Sequence, residues 1–296
     1  MASHDVLVRD DARIRRVVDL DPFVLPIQTL FPTASLAQLR ALAPILPKGH
    51  ADFAGGTLLL AIQSHVIRLG GLTILIDTCV GEHKARPRRP DWDRREGTRY
   101  LANLQAAGCT PEAVDIVLCT HLHADHVGWN TRLEQGRWVP TFPNARYVIS
   151  QTEIDLRRRE AQDSEAANHG SFQDSVEPII ERGLLVPAST DSEIAPGARL
   201  IALPGHAPGQ IGLELATGAP PVILCGDAIH SPVQVCHPDW SSAFCFDPAQ
   251  AVRTRRALLQ RAVEEDAVLL PAHLRAATLR VARDGAGYRP IVEGSA

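Results

Sequence analysis

The sequence predicts an α/β protein in which short strands end in loops that carry histidine and aspartate. Runs of apolar and β-branched residues end at turns containing glycine or proline, and they alternate with segments of helical periodicity. The same strand-and-loop theme recurs in the second half of the chain. With 296 residues and a hydrophobic fraction of 45%, the chain can bury a large core, as one layered domain or as two fused halves.

The N-terminal region is apolar and rich in proline, and residues 35–42 have a short helical pattern. We therefore expect residues 1–50 to form an arm or lid that packs on a body of residues 51–296. The first strands predicted in the body are residues 57–63, 65–69 and 72–77, with hairpin turns at Ser64 and at Gly70-Gly71.

Later elements alternate between strands and helices. Helix 248–264 has the clearest start, because Asp247 is a good N-cap and Pro248 suits the first helical position. The other predicted elements are helix 95–107 closed by Gly108, strands 114–120 and 145–150, helices 151–162 and 172–182, and strands 199–203, 210–215, 222–225 and 267–271.

One strand end carries a high density of metal-binding side chains. The predicted strand 114–120 leads directly into the motif HLHADH. Alternate side chains of an extended backbone share a face, so His121 and His123 can point the same way. After a turn, Asp125 and His126 can face back, and zinc binds imidazole and carboxylate at about 2.0–2.2 Å. The alternative is a polar loop whose histidines only bond to backbone, but this combination favours a metal site.

Three further strand ends each carry one residue that can bind a metal: His206 in PGHAPG, Asp227 in GDAIH and His273 in PAH. Alone, each could be a surface or capping residue. Together with HLHADH they provide seven candidate ligands, enough for two metal ions. Asp77, at the end of a predicted strand, is either exposed or orients a ligand imidazole. The remaining histidines are assigned by default to structure or surface: His4, His50, His65, His83, His169 and His237.

Composition and charge restrict the expected partners. The formal net charge is −4 and the pI is near 6.3, with acidic and basic residues mixed, which argues against nucleic-acid and membrane partners. The basic run 84–95 is interrupted by proline and aspartate and is interpreted as a solvated loop. The six cysteines form no CxxC pair, which favours reduced thiols. Residues 1–11 lack the apolar core of a signal peptide, and no apolar run is long enough to span a membrane. We therefore expect a soluble, cytoplasmic protein.

Taken in order, HLHADH, PGHAPG, GDAIH and PAH resemble the motifs of the metallo-β-lactamase-fold hydrolases, over residues 55–275. The resemblance implies a four-layer αββα sandwich with the active site at one edge of its two sheets, and makes residues 51–296 the catalytic domain. It also implies two divalent metal ions as cofactors, with zinc expected. The ligands carried over by position are His121, His123 and His206 for one zinc, Asp125, His126 and His273 for the other, and Asp227 as the bridge.

Within this superfamily, the chain looks most similar to the branch of acyl-homoserine lactonases and methyl-parathion-hydrolase-like enzymes. This implies a hydrolase in which a metal-bridging hydroxide opens a lactone or carboxylic ester with an apolar tail. The alternatives are an organophosphate triester hydrolase and, with weaker support, a β-lactamase or an iron-dependent persulfide dioxygenase. Two positions depart from the branch. His230 stands where lactonases tend to have tyrosine, and Gln210 stands where a second histidine often follows PGHxPG.

Two residues are expected to act on the substrate. Asp125 can shuttle a proton to the leaving group, and His230 can bond the substrate oxygen or act as an acid, although a pocket-wall role for His230 stays open. No Gly-x-Ser-x-Gly element supplies a protein nucleophile. Aromatic residues in segments 23–31, 129–142 and 231–246 predict an apolar pocket wall for a small-molecule substrate. The N-terminal segment either forms a homodimer contact or packs on its own chain.

Overall fold

The computed structural model describes residues 5–9, 12–46, 49–216 and 218–294, and the chain divides into two units. The first unit contains Met1–Asp19 and Ile62–Thr190, and the second contains Leu20–Ala61 and Asp191–Ala296. Each unit has both strands and helices, which confirms the predicted α/β class. The division into an arm and a body stays a prediction. His4 and part of the segment searched for a signal peptide lie outside the described residues.

The strands of the described residues form two large sheets and one small hairpin. In spatial order, the first sheet contains β1 (Asp5–Arg9), β2 (Ala12–Pro26), β4 (Thr57–Leu69) with β3 (Ala51–Asp52) beside it, β5 (Leu72–Ile76), β6 (Ile116–Leu118), β9 (Arg146–Ser150) and β10 (Leu185–Ala188). The hairpin pairs β7 (Thr131–Glu134) with β8 (Arg137–Pro140). In chain order, the second sheet contains β11 (Glu193–Ala195), β12 (Ala198–Ala202), β13 (Ile211–Leu215), β14 (Val222–Gly226), β15 (Val268–Pro271), β16 (Thr278–Asp284) and β17 (Gly287–Glu293).

The helices are mostly short. They are α1 (Ile27–Leu30), α2 (Leu36–Ala41), α3 (Tyr100–Ala106), α4 (Ala124–Val127), α5 (Gln151–Asp163), α6 (Ser171–Ser175), α7 (Glu177–Glu181), α8 (Val233–Cys236) and α9 (Pro248–Glu264). Single 3-10 turns cover Pro111–Ala113, Gly128–Asn130 and Ala167–Gly170. Helices α5 and α9 match their predicted segments to within one residue. Within the described residues, no helix combines the length and the apolar character that crossing a membrane requires.

Two helical predictions are wrong in extent. Helix α3 begins later than the predicted helix 95–107, because the Arg95 carbonyl accepts the His83 N–H (2.9 Å) and is unavailable to a helix. The predicted helix 172–182 is split into α6 and α7. Pro178 has no amide hydrogen to donate to the Asp174 carbonyl four residues earlier. That carbonyl accepts the Lys84 ammonium instead (2.8 Å).

Parallel pairing brings the residues of interest to common sheet edges. Strand β5 is parallel to β6, so Asp77 and the HLHADH motif follow strands that end at the same edge. In the second sheet, β14 is parallel to β15 and both are joined through α9, so Asp227 and His273 also follow strands that end together. Strand β12 runs in the same direction as β14, because each is antiparallel to β13. The loop containing His206 therefore leaves the same edge.

The predicted hairpin turn at Ser64 is wrong, because β4 continues through this residue. Ser64 is fully buried, and its hydroxyl donates to the Asp77 carbonyl (2.7 Å) while accepting from the Tyr100 hydroxyl (2.8 Å). A buried serine with both bonds satisfied does not interrupt a strand. The turn at Gly70-Gly71 is confirmed, since Leu69 pairs with Leu72 across it.

Helix α9 covers one face of the second sheet. Its N-cap is Asp247, whose side chain accepts the Gln250 N–H (2.9 Å), as predicted. Its apolar face places Leu258 and Leu259 in a buried cluster that also contains Leu269 of β15. Each such buried side chain contributes about 1.5–3 kcal/mol relative to exposure, which fixes the helix on the strands that precede Asp227 and His273.

The basic run 84–95 was interpreted as a solvated loop, and this is wrong for two of its residues. Lys84 and Arg86 are both fully buried. The Arg86 guanidinium donates to both carboxylate oxygens of Asp174 (2.7 and 2.9 Å), and the Lys84 ammonium lies 3.6 Å from the same carboxylate and 3.5 Å from the centre of the Trp138 ring. Buried charges of this kind persist only when they are paired. Lys84 and Arg86 therefore anchor this loop in the interior of the first unit.

We expect the first unit to gain stability as the pH rises above neutrality. Burial lowers the pKa of Lys84 from 10.5 to about 7, although Asp174 opposes this shift. Between these values the unfolded chain holds a proton that the folded chain has released, so the free energy of unfolding increases with pH. Below pH 7 the folded and the unfolded chain both hold the proton on Lys84, so the folded state bears the full cost of burying the charged ammonium.

Urea unfolding of the wild type and Lys84→Met at pH 6.5 and 9.5 tests this dependence. The difference between their unfolding free energies should shift in favour of the wild type by roughly 1–4 kcal/mol over this range. The same pH dependence in both proteins would show that Lys84 is not the titrating group.

Candidate metal centre

The first unit brings together two pairs of predicted ligands, and we call these four residues the first half-site. The His121 Nε2 atom lies 3.0 Å from the His123 Nδ1 atom. The His126 Nε2 atom lies 3.9 Å from the nearer carboxylate oxygen of Asp125. His121 and His126 are buried, whereas His123 and Asp125 are partly exposed. The pairing follows the ligand assignment that the family resemblance implies.

Asp77 is positioned to orient the imidazoles of the first half-site. The sequence had left two roles open for it, exposure to solvent or orientation of a ligand imidazole. Asp77 is buried, and its Oδ2 atom accepts the His126 Nδ1–H (2.8 Å) and the Thr120 hydroxyl (2.9 Å), while Oδ1 accepts the Thr120 N–H (2.7 Å). Because the Thr120 proton goes to Asp77, the His121 Nδ1–H donates to the Thr120 oxygen (3.1 Å). Both imidazoles therefore carry their lone pair on Nε2, the atom that can bind a metal.

The turn after Asp77 is pressed against the loop after HLHADH. The Thr78 N–H donates to the His126 carbonyl and the Gly128 N–H donates to the Cys79 carbonyl, both at 2.7 Å. A Cβ atom on Gly128 would lie 1.8 Å from the Val80 carbonyl oxygen, so only glycine fits there. These contacts hold the backbone of His126 in register with Asp77.

The second unit places three predicted ligands together, and we call His206, Asp227 and His273 the second half-site. The Asp227 Oδ2 atom lies 3.3 Å from the His206 Nε2 atom, and Oδ1 lies 3.3 Å from the His273 Nε2 atom. In tetrahedral zinc with bonds of about 2.0–2.1 Å, neighbouring donor atoms lie about 3.3 Å apart. Oδ1 therefore faces the His273 imidazole, and Oδ2 faces the imidazoles of His206 and His230, at separations that suit donors to a shared ion.

Hydrogen bonds on the far side of each ring fix these imidazoles. The His273 Nδ1–H donates to the Ala61 carbonyl (2.9 Å), and the His206 Nδ1 atom lies 3.7 Å from the Cys245 sulfur. The His206 carbonyl also accepts the Phe246 N–H (2.9 Å). Both rings therefore present Nε2 to Asp227. Oriented imidazoles and carboxylates are a donor set that fits zinc.

Helix α9 supports two of the three loops of the second half-site through residues that the sequence analysis did not identify. The Thr254 hydroxyl donates to the Pro204 carbonyl (2.6 Å), and the buried Arg255 guanidinium donates to the Ala228 carbonyl (2.9 Å). Burial lowers the pKa of Arg255 to about 10, so it stays charged at neutral pH. A Cβ atom on Gly205 would lie 2.2 Å from the Ala251 nitrogen, which explains the glycine of PGHAPG.

His230 lies beside the second half-site. Its Nε2 atom is 3.3 Å from the Asp227 Oδ2 atom, and neither ring nitrogen has a hydrogen-bond partner among the described residues. Burial lowers the pKa of His230, and the Asp227 charge only partly opposes this, so the ring is neutral at pH 7. The donor atoms of His206, Asp227 and His230 lie within 4.8 Å of one another. Gln210, the other departure from the lactonase pattern, is also buried.

The aromatic segments that were predicted to form a pocket wall differ in burial, and the pocket wall itself stays a prediction. Trp129 stacks on Tyr100 (5.2 Å between ring centres), and both Trp129 and Phe142 are buried, so these rings belong to the interior of the first unit. In the second unit, Phe244 and Phe246 are exposed, at 44% and 63%. The five described histidines that were assigned to structure or surface are divided: His50 and His65 are buried, and His83, His169 and His237 are partly or fully exposed.

The fold agrees with comparisons to known proteins. A family model described as the metallo-beta-lactamase superfamily matches residues 58–273, and the chain belongs to this superfamily. Among solved structures, the hydrolase AbOPH in the beta-lactamase superfamily is 26% identical, with a TM-score of 0.79 over 98% of this chain and 97% of that chain.

Curated relatives match shorter segments. Metallo-beta-lactamase domain-containing protein 1 of Xenopus laevis is 30% identical over 184 residues, which is 62% of this chain and 61% of that protein. An N-acyl homoserine lactonase of Bacillus sp is 27% identical over 139 residues, which is 46% of this chain and 47% of that protein. The alignments thus span between about half and three-fifths of these relatives.

We expect Asp77→Asn to weaken metal binding. The asparagine oxygen can still accept the Thr120 N–H, but its amide cannot accept the His126 Nδ1–H, so the imidazole loses its orientation. Loss of such a partner typically costs about 10–100-fold in metal affinity, which competition with a chelator would measure. Asp115→Asn is the control, because Asp115 bonds the Thr73 amide and no ligand. Equal affinity in both variants would contradict this role of Asp77.

Proposed function

We propose that the two half-sites act together as one binuclear zinc centre of a hydrolase that opens lactones or carboxylic esters with an apolar tail. The proposed ligands are His121, His123 and His206 for one zinc, Asp125, His126 and His273 for the other, and Asp227 for both. Zinc is preferred because the set contains imidazole and carboxylate but no thiolate.

The observation that best supports this proposal is the environment of Asp227. Its two carboxylate oxygens are buried, and each faces the Nε2 atom of a different histidine at 3.3 Å. A buried carboxylate is costly unless its charge is compensated. A cation held between Asp227 and the histidines that face its oxygens would supply that compensation. Asp227 is therefore best explained as a bridging ligand.

Two metal ions held by these residues would lower the pKa of bound water and act as Lewis acids towards a substrate carbonyl. Only two of the seven proposed ligands are anionic, so the centre keeps a positive charge that stabilises negative charge developing on a substrate oxygen. Asp125 is partly exposed and can carry a proton to the leaving group. His230, neutral and buried beside Asp227, can donate a hydrogen bond to the substrate oxygen.

The apolar tail of the proposed substrate is suggested by aromatic rings of the second unit. Phe31 lies edge-on to His230, with 6.4 Å between ring centres, and Trp240 lies 6.0 Å from Phe31. The side chain of Phe246 is exposed, and its backbone N–H donates to the carbonyl of the proposed ligand His206. Apolar rings around a few polar groups are typical of small-molecule sites. The similarity to an N-acyl homoserine lactonase favours the same chemistry.

Cellular location and assembly are also proposals. All six cysteines are free thiols, which suits a reducing compartment such as the cytoplasm. A homodimer stays a prediction, with the N-terminal segment as its contact.

The proposed chemistry predicts about two zinc ions per chain and an activity that chelation abolishes. We expect the highest kcat/KM on an acyl-homoserine lactone, in a panel with an aryl ester, a phosphotriester and a cephalosporin.

Asp227→Ala should lose metal and more than about 100-fold of the rate, since a direct ligand matters more than an outer partner. Asp239→Ala, which removes an exposed ion pair with Arg256, is the matched control. A phosphotriester preference would support the alternative hydrolase, and full activity of Asp227→Ala would refute the centre.

The role proposed for His230 predicts a loss of kcat in His230→Phe, which keeps the ring but removes the donor. We expect kcat to fall about 100-fold with little change in KM, while the metal content stays the same. His230→Tyr, which restores the phenol common in lactonases, should keep most of the activity. If His230→Phe retains the full rate, His230 is only part of the pocket wall.

A further inference from the structure

Leu122 lies between two proposed ligands, His121 and His123, and side chains hold the N–H of the peptide group before it and the carbonyl of the peptide group after it. Its N–H donates to the Glu153 carboxylate of α5 (3.3 Å). Its carbonyl accepts the Asn168 side-chain amide (2.5 Å). Leu122 itself is buried. These two hydrogen bonds come from segments more than 30 residues away in the chain, and they fix the backbone on both sides of Leu122.

Asn168 reaches Leu122 from an unfavourable backbone conformation. Its φ and ψ are 44° and 40°, those of His169 are 59° and 22°, and Gly170 follows at 75° and 15°. Two successive non-glycine residues in the left-handed region are strained, and strain of this kind persists only where the surroundings impose it. Here the Asn168 amide also donates to the Ser171 hydroxyl (2.6 Å), and Arg86 donates to the His169 carbonyl (2.8 Å).

Glu153 is equally constrained. Its side chain is fully buried, and its carboxylate lies 3.6 Å from the Arg157 guanidinium one helical turn later. Arg157 in turn donates to Glu160 (2.7 Å). A carboxylate held in this way is a fixed acceptor for the Leu122 N–H, because moving it would leave a buried charge without its partners.

We propose that Asn168 and Glu153 are positioning residues of the metal centre. By fixing the planes of the two peptide groups that join Leu122 to His121 and His123, they fix the direction in which the His121 and His123 side chains leave the backbone. Metal ligands must be placed to within a few tenths of an ångström, so partners of this kind control affinity. The inference rests on the proposed metal centre, since without a bound metal the direction of these imidazoles would have no consequence for binding.

Asn168→Gly separates this role from a role in folding. Glycine adopts the left-handed conformation without strain, so the variant removes the amide while making the backbone more favourable. We expect the affinity for zinc to fall about 10–100-fold, and the visible absorption of the cobalt-substituted protein to change. The thermal midpoint of the metal-free protein should stay the same or rise.

Two controls make the test specific. Gln135→Gly relieves a left-handed residue (φ 50°) at the exposed tip of the β7–β8 hairpin and should bind zinc like the wild type. Glu153→Gln keeps an oxygen that can accept the Leu122 N–H and should retain affinity within about threefold, whereas Glu153→Ala should lose about tenfold.

The outcomes distinguish this inference from the proposed function. If the wild type binds zinc and Asn168→Gly binds it equally well, the positioning role is refuted and the metal centre stands. The same conclusion follows if Asn168→Gly lowers only the metal-free thermal midpoint. If the wild type binds neither zinc nor cobalt, both proposals fail.

Discussion

The contact between Asp77 and His126 is the constraint on which the first half-site depends. Asp77 is a buried carboxylate, which is costly unless its oxygens accept several hydrogen bonds. It accepts three, from His126 and from the amide and hydroxyl of Thr120. Those donors come from the end of β6 and the helix after it, so the parallel pairing of β5 with β6 is what brings them within reach. The pairing of β5 with β6 therefore also determines how the imidazoles are oriented.

The second half-site uses the same principle with a different support. The parallel pair β14 and β15 carries Asp227 and His273 to one edge, and the crossover helix α9 supplies the bonds that hold the loops. The apolar face of α9 is buried on the sheet, so the positions of Thr254 and Arg255 follow from hydrophobic packing. In both units, then, ordinary core packing determines where the proposed ligands lie.

Much of the fold and of the candidate site could be predicted where the signal is local. Strand ends with glycine and proline located all seven proposed ligands, and Asp247 and Pro248 marked the start of α9. Several of the errors share a physical cause, which is a partner far away in the chain. Ser64 was taken for a turn because its bonds to Asp77 and Tyr100 are invisible locally. Lys84 and Arg86 were taken for solvated residues because Asp174 lies about 90 residues later.

The segment between Trp240 and α9 shows how the specificity of such a molecule could diverge. Its backbone is bonded to its surroundings at Ala243, Phe246 and Asp247, which contact Leu30, His206 and Gly205 through main-chain atoms alone. The side chains of Phe244 and Phe246 project into solvent and support none of these bonds. Substitution of these two side chains would therefore leave the main-chain hydrogen bond to His206 in place.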